Sequence, residues 1–420
     1  MKRLHFLSVV LTGMITLSAN AQEFDASLQL RPRYEYRHGY KNFLQKNEKP
    51  ASLISQRTQL NLNLNKEEYQ IYLSLKSNGV WGENDLAASH NKTTVSIFEA
   101  WVNYPLNSKI SVKLGRQKLS YDNQRILGAL DWAQQGLNHD AVVFQYKNQN
   151  LEIHSGYALS NTSESLEKRP YTALNYKNMQ YVWLHTNATK DIAMSFLVLN
   201  TGYEAEKPTN NFKTEYHQTL GTFLKYQSDK WTVSSAFYAQ TGTLNLQKKE
   251  AYNAFADVQY QWTNQLKSSV GYEYLSGTTP GNPSTVNRSF APLYGTNHIF
   301  NGAMDYFNNG TFQNSVGLHD LYVTGKLQAD KWNLEITPHI FHADKNILNT
   351  TGEKLPSLLG TEIDLTVVYQ IQKDVKITAG YSQFFATKRF EELRNSTLNT
   401  NNHWTWMMIT LNPTLFSSKK

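Results

Sequence analysis

The sequence predicts an all-β fold, a transmembrane antiparallel up-and-down β-barrel of about eighteen strands, from three observations. From Leu28 to Leu411 apolar and polar residues alternate in short runs, the two-residue period of strands with one apolar face. The gaps between the runs are alternately short and long, as in a meander that turns tightly at one end of the molecule and loops freely at the other. Mean hydropathy is only −0.54 and no apolar run after the N-terminal segment is long enough for a membrane helix, so a membrane position requires a closed barrel.

The N-terminal segment sets the compartment. Lys2 and Arg3 precede an apolar stretch from Leu4 to Leu17, and Ala19-Asn20-Ala21 places small residues at minus three and minus one of a cleavage site before Gln22. Residues 1–21 therefore read as a signal peptide, and 22–420 as a single barrel domain bound for the cell outer membrane of a Gram-negative bacterium after Sec-type export. A membrane anchor would need roughly 20 apolar residues. Removing Lys2 and Arg3 leaves 41 minus 2 basic residues against 34 acidic ones, a net charge of +5. No linker or shift of composition divides the mature chain. The absence of cysteine excludes disulfide frameworks, thiolate metal sites and cysteine nucleophiles.

The first strand places Leu28, Leu30, Tyr34 and Tyr36 on one parity and Gln29, Arg31, Arg33, Glu35 and Arg37 on the other. The second sets Leu60, Leu62 and Leu64 against Arg57, Gln59, Asn61, Asn63 and Asn65. In the third, Tyr69, Ile71, Leu73 and Leu75 oppose Glu68, Gln70, Tyr72, Ser74 and Lys76. Further strands are predicted near 95–104, 108–116, 140–148, 150–160, 178–186, 190–199, 213–227, 229–241, 250–263, 265–276, 315–328, 332–343, 360–372, 374–386 and 402–411. Short periplasmic turns alternate with long extracellular loops near 38–53, 77–94, 117–139, 161–177, 200–212, 242–249, 277–314, 344–359 and 387–401.

Twenty-five Tyr, nineteen Phe and nine Trp exceed the needs of a soluble core and suit membrane interfaces. Tyr146, Trp183, Trp231, Tyr260 and Trp262, close to predicted turns, are candidate girdle residues. The last strand, His403 through Leu411, pairs with the first in this reading. The chain then runs on to Lys420 instead of stopping at an aromatic residue, with Phe416 nearby.

With the apolar parity facing lipid, the polar parity lines the lumen. Arg31, Arg33, Arg37, Arg57, Lys76 and Lys113 fall in the first five strands, while Glu273, Asp320, Glu335, Glu362 and Asp364 come late. One wall should be basic and the facing one acidic. Basic rings attract anions, and arginine binds carboxylate in bidentate fashion. The competing reading of each arginine is a wall-stiffening ion pair.

The most distinctive segment runs from Gly115-Arg116-Gln117 through Leu119-Ser120-Tyr121-Asp122 and Gln124-Arg125 to Asp131-Trp132. Its length and mixture of charge with aromatics suit a loop folded inward to narrow the pore, with Tyr121, Asp122, Asp131 and Trp132 as constriction residues. An ordinary extracellular hairpin is the plainer alternative. Together with Leu293-Tyr294-Gly295-Thr296-Asn297-His298 and Gly302 to Phe307, this segment resembles the alginate export family of outer-membrane barrels. The resemblance implies an eighteen-strand barrel with an arginine-rich lumen passing an anionic polysaccharide. It makes Arg116 and Arg125 the best-matched basic positions, with Asp122 and Asp131 as partners and Arg57 a weaker match.

The leading expectation is a passive outer-membrane channel for anionic polysaccharide or oligosaccharide, alginate-like in kind, through a basic lumen containing Arg31, Arg33, Arg57, Lys113, Arg116 and Arg125. Periplasmic export or uptake partners would serve it. A general or anion-preferring porin for small solutes is the alternative. A hydrolase barrel is weaker, because Ser120, His139 and Asp140, or His298 and Asp305, match no nucleophile-elbow or metalloprotease pattern. A receptor barrel using the 277–314 loop is a third class. No catalytic residue, metal, cofactor or nucleic-acid partner is assigned, since basic charge is spread along a wall and loops.

Overall fold

In the computed structural model, residues 23–418 are described except 46, 85–93, 162–163, 165–175, 207–211, 245, 280–285, 308–315, 349–352 and 395–400. The signal peptide expected at residues 1–21 lies outside the described residues. The chain folds as a closed antiparallel barrel of 18 strands. They are β1 Glu23–His38, β2 Ala51–Asn65, β3 Gln70–Val80, β4 Val95–Pro105, β5 Ile110–Gln117 and β6 His139–Lys147. Next come β7 Leu151–Leu159, β8 Asn178–Asn187, β9 Ile192–Glu206, β10 Phe212–Gln227, β11 Trp231–Leu244 and β12 Gln247–Gln261. The last six are β13 Leu266–Leu275, β14 Leu318–Ala329, β15 Trp332–His342, β16 Leu358–Gln372, β17 Val375–Ala386 and β18 Asn402–Leu411. Each strand pairs with its sequence neighbour, and β18 closes on β1 with Tyr34 opposite Met407 and Arg37 opposite Trp404.

The alternation sorts the side chains as a membrane barrel requires. Leu114, Phe144, Val182, Val198, Phe237, Val270, Val323 and Ile336 face out and are exposed, whereas the intervening polar residues are mostly covered inside. At the short-turn rim, Trp231 and Tyr260 lie 4.6 Å apart and Tyr260 and Trp262 4.7 Å, while Trp332 and Tyr369 form a separate pair at 4.4 Å, two aromatic groups suited to the membrane interface. Trp183 departs from the girdle expectation. Its neighbour Val182 is the lipid-facing residue, so Trp183 points inward and donates to Asp122 Oδ1 at 3.1 Å.

The hairpins after β9 and β11 extend further than hydropathy suggested. β9 and β10 pair out to Glu206 opposite Phe212, and β11 and β12 out to Leu244 opposite Gln247, so the loops expected at 200–212 and 242–249 are largely strand. These ends carry Thr, Gly, Lys and Glu, which stand clear of hydrocarbon and no longer alternate in hydropathy. Beyond Pro413, Thr414–Ser417 resumes pairing with β1, bringing Phe416 within 5.9 Å of Phe24. An aromatic contact thus ends the closing seam despite the longer tail.

Candidate functional site

Two long connections turn into the barrel and meet there. The first joins β5 to β6. Its Asp122, Gln124 and Leu130 adopt left-handed backbone (φ 51, 63 and 48°), coiling the chain tightly enough for Tyr121 N–H to reach Leu127 O at 3.1 Å. Leu119, Ile126 and Leu127 are buried in the same apolar cluster as Val143 and Tyr181 of the adjoining wall. Tyr121 completes that anchorage, its hydroxyl 2.8 Å from the Tyr181 hydroxyl and 3.0 Å from His154 Nδ1.

The far end of this loop is held by the β1–β3 wall. Arg31 donates to Asp131 O at 2.9 Å and Trp132 O at 3.2 Å, and Arg33 donates to Trp132 O at 2.9 Å. Arg57 donates to Gln134 O at 2.8 Å, pairs with Asp131 Oδ1 at 2.7 Å and also bonds Ala133 O. Lys76 bonds Gln135 O. Consecutive carbonyls turned toward one wall thus receive the cations that the strand pattern supplies. The Arg33 guanidinium also lies 4.3 Å over the Trp132 ring. Between these anchorages Arg125 crosses to the opposite wall, pairing with Glu273 on β13 at 2.7 Å and donating to Asn301 Oδ1 at 2.7 Å.

The second inward connection, between β13 and β14, lies along the first. Tyr294 N–H donates to Ile126 O at 3.1 Å, Gly128 N–H to Tyr294 O at 2.9 Å and Thr296 N–H to Gln124 O at 2.9 Å. Gly295 permits this approach, since a Cβ there would lie 2.3 Å from Arg125 O. Further along, Ala303 N–H donates to Asp364 Oδ2 at 3.1 Å and Met304 N–H to Glu362 Oε1 at 2.7 Å, tying the loop to β16. His298 stacks on Trp132 at 4.6 Å and pairs with Asp305 at 2.9 Å, while Tyr40 donates to Asp305 at 2.6 Å. Burial opposes ionisation of Asp305, yet His298, Lys41 and Tyr40 hold its carboxyl below the usual range. Asp131 behaves similarly: partial burial raises it, but Arg57 and Arg31 bring it lower on balance.

A cavity of about 640 Å³ remains beside the loops, bounded by Asp257, Asp320, Glu335 and Asp364 with Lys326 and Lys376. His339 lies between Asp320 at 2.8 Å and Asp364 at 3.6 Å, and Lys326 pairs with Glu335 at 2.9 Å. The lumen therefore has a cationic side occupied by loop carbonyls and an acidic side open to the cavity.

Arg31, Arg33 and Arg57 are only 4%, 6% and 1% exposed, so they clamp a loop instead of forming a free ladder. Lys113 faces inward with its ammonium 3.8 Å over the Trp101 ring. Arg125 is equally buried within its ion pair. Arg116 requires a correction. It shares the outward parity of Leu114 and pairs with Asp140 at 3.0 Å on the outer wall, because β5 keeps its alternation to its end. His139 faces inward and Asp140 outward, which separates the members of one hydrolase arrangement considered from sequence. The inward course of 293–307 was not expected from strand periodicity. Its signal was the density of Gly, Asn and Asp within a long aromatic connection.

The sequence signature of the alginate export family matches residues 23–402. The chain belongs to the alginate export family. Among solved barrels, this family member is similar to Acinetobacter baumannii OccAB4, with TM-score 0.64 and 11% identity over 94% of this chain and 99% of that one. Pseudomonas aeruginosa OccK9 (OpdG) gives TM-score 0.64 and 10% identity over 93% and 98% of the two chains. P. aeruginosa OpdK, solved with vanillate, gives 0.62 and 8% over 94% and 99%. No curated protein sequence matches. The alginate export family member is thus an outer-membrane channel barrel of porin-like architecture.

Proposed function

We propose that this barrel is a passive channel for saccharides, anionic oligosaccharides foremost, threading past two loops that meet across its lumen. The observation that carries the reading is the joint anchorage of the loops. Arg31, Arg33 and Arg57 hold one end, Arg125 and Glu273 hold the opposite wall, and the remaining cavity is about 640 Å³. Such a lumen suits solutes of a few sugar units moving singly. Family membership supports an anionic cargo, as does the cationic side, where Arg31, Arg33, Arg57 and Lys76 outnumber Glu35 and Asp131. Export or uptake partners would meet the short-turn rim.

A second reading, a general porin for small polar solutes, draws on the acidic side of the same cavity. Planar-bilayer recordings separate the two. The first expects anion-preferring reversal potentials under a salt gradient and saturable block by oligouronates but not maltodextrins. Equal permeability with equal block by both sugars favours the second. Conversion of lipid or peptide substrates by the refolded barrel would exclude both and revive a hydrolase.

A further inference from the structure

One part of the outer wall is not apolar. On β2 and β3 the outward rows begin at the short-turn end with Leu64, Leu62 and Leu60 and with Ile71, Leu73 and Leu75. They then change to Thr58 and Gln56, and to Ser77, Gly79 and Trp81. The facing is fixed by intervening residues, since Arg57 and Gln59 point into the lumen and bond Gln134 O and Ser74 Oγ. Thr58 stands opposite Ser77, and Gln56 opposite Gly79.

These residues border a cleft of about 310 Å³ on the lipid side. Trp81, 60% exposed, forms its upper edge. Trp81 Nε1–H donates to Gln56 Oε1 at 2.9 Å, and Gln56 Nε2–H donates to Thr58 Oγ1 at 3.1 Å. The relay ends at the Thr58 hydroxyl proton, and the Ser77 hydroxyl opposite has no partner among the described residues. At about 3.3 Å per residue and a tilt of about 40°, Thr58 and Ser77 lie roughly 18 Å above the short-turn rim, and Gln56 roughly 23 Å. Against an apolar band about 25 Å tall, Thr58 and Ser77 lie in its upper third, Gln56 close to its top and Trp81 above them, so the cleft runs from the headgroup level down into the acyl region. Hydrocarbon can satisfy none of these polar groups.

We propose that this cleft binds the saccharide headgroup of an outer-leaflet glycolipid. The Thr58 and Ser77 hydroxyls donate to sugar oxygens, the Gln56 carbonyl accepts from sugar hydroxyls, and the apolar face of a sugar ring lies on Trp81. Among the described residues the lining carries no formal charge, which favours sugar hydroxyls over phosphate. The depth favours a lipid-borne sugar over a soluble one.

The test is retention of glycolipid by the full-length barrel. Wild-type protein refolded with rough lipopolysaccharide should keep one molecule through detergent exchange in native mass spectra. A Gln56→Leu, Thr58→Val, Ser77→Ala variant should keep at least tenfold less, with unchanged single-channel conductance because these residues face away from the lumen. Should that variant form no channels, Trp81→Ala, outside the strands, takes its place with the same loss expected. Equal retention by wild type and variant would overturn the proposal. So would equal retention of phosphatidylglycerol, or capture of the free core oligosaccharide in place of the glycolipid.

Discussion

Arg57 on β2 and Asp131 in the first inward loop meet at 2.7 Å across 74 residues of sequence. The two ends of this contact are unequal. Arg57 is 1% exposed on its side chain and Asp131 62%, so water screens the carboxylate while the guanidinium depends on the carbonyls of Ala133 and Gln134. The pair itself contributes modestly; the bonds to backbone hold the loop.

Arg57→Ala is therefore expected to loosen residues 131–135 from the wall. Removing a donor to buried carbonyls should cost about 1 to 3 kcal/mol of stability. Single-channel conductance should rise and become noisier as the segment samples the lumen. A conductance trace identical to wild type would mean that the loop is held elsewhere.

Arg125 predicts a harsher outcome. It and Glu273 are each 2% exposed on their side chains, and Glu273 also accepts from Asn253 and Asn301 at 2.8 Å. Arg125→Met strands a buried carboxylate and should cost about 3 to 5 kcal/mol. Adding Glu273→Gln should recover much of that loss, because a neutral amide no longer needs the guanidinium. Denaturant unfolding of the two single variants and the double variant checks this, and strict additivity would contradict the pairing.

The strand pattern made the barrel legible because lipid on one side and water on the other impose a strict period of two, as Leu60, Leu62 and Leu64 against Asn61, Asn63 and Asn65 illustrate. The inward loops were less legible. Arg31 and Arg57 carry the same pattern whether their guanidinium groups meet solvent, a carboxylate or the carbonyls of a loop a hundred residues away, and hydropathy does not encode that partner. Arg116 illustrates the opposite error, where a motif position suggested the lumen and simple parity with Leu114 placed it outside. Trp183 was misplaced because proximity to a turn outweighed its parity with Tyr181.

Acidic pH should act on the second loop through Asp305. Its carboxyl sits below the ordinary value of 3.8 in the folded protein, so the folded state binds its proton less readily than the unfolded chain does. The sign follows: this stabilisation is complete above about pH 5 and is lost as pH falls below about 4. Protonation weakens the contacts with His298, Lys41 and Tyr40 that fix residues 298–305. Conductance recorded from pH 6 down to 3 should change reversibly at the acidic end, and Asp305→Asn should show the acid-type behaviour already at neutral pH. A flat profile in both proteins would remove Asp305 from control of the loop.

Leu62 and Asn61 give the sharpest test of which face meets lipid, since they are adjacent. Leu62 is register-paired with Ala26 and Leu73 on the outer wall, whereas Asn61 accepts from Tyr72 at 3.0 Å and Ser74 at 2.8 Å inside. Arginine at Leu62 would meet hydrocarbon about 8 Å above the short-turn rim, between interface and midplane, and should cost roughly 1 to 3 kcal/mol. At Asn61 the same side chain can reach water in the lumen, so folding into vesicles should suffer far less while conductance and ion selectivity shift. A folding defect for Asn61→Arg together with neutral behaviour of Leu62→Arg would invert the assignment of inner and outer faces.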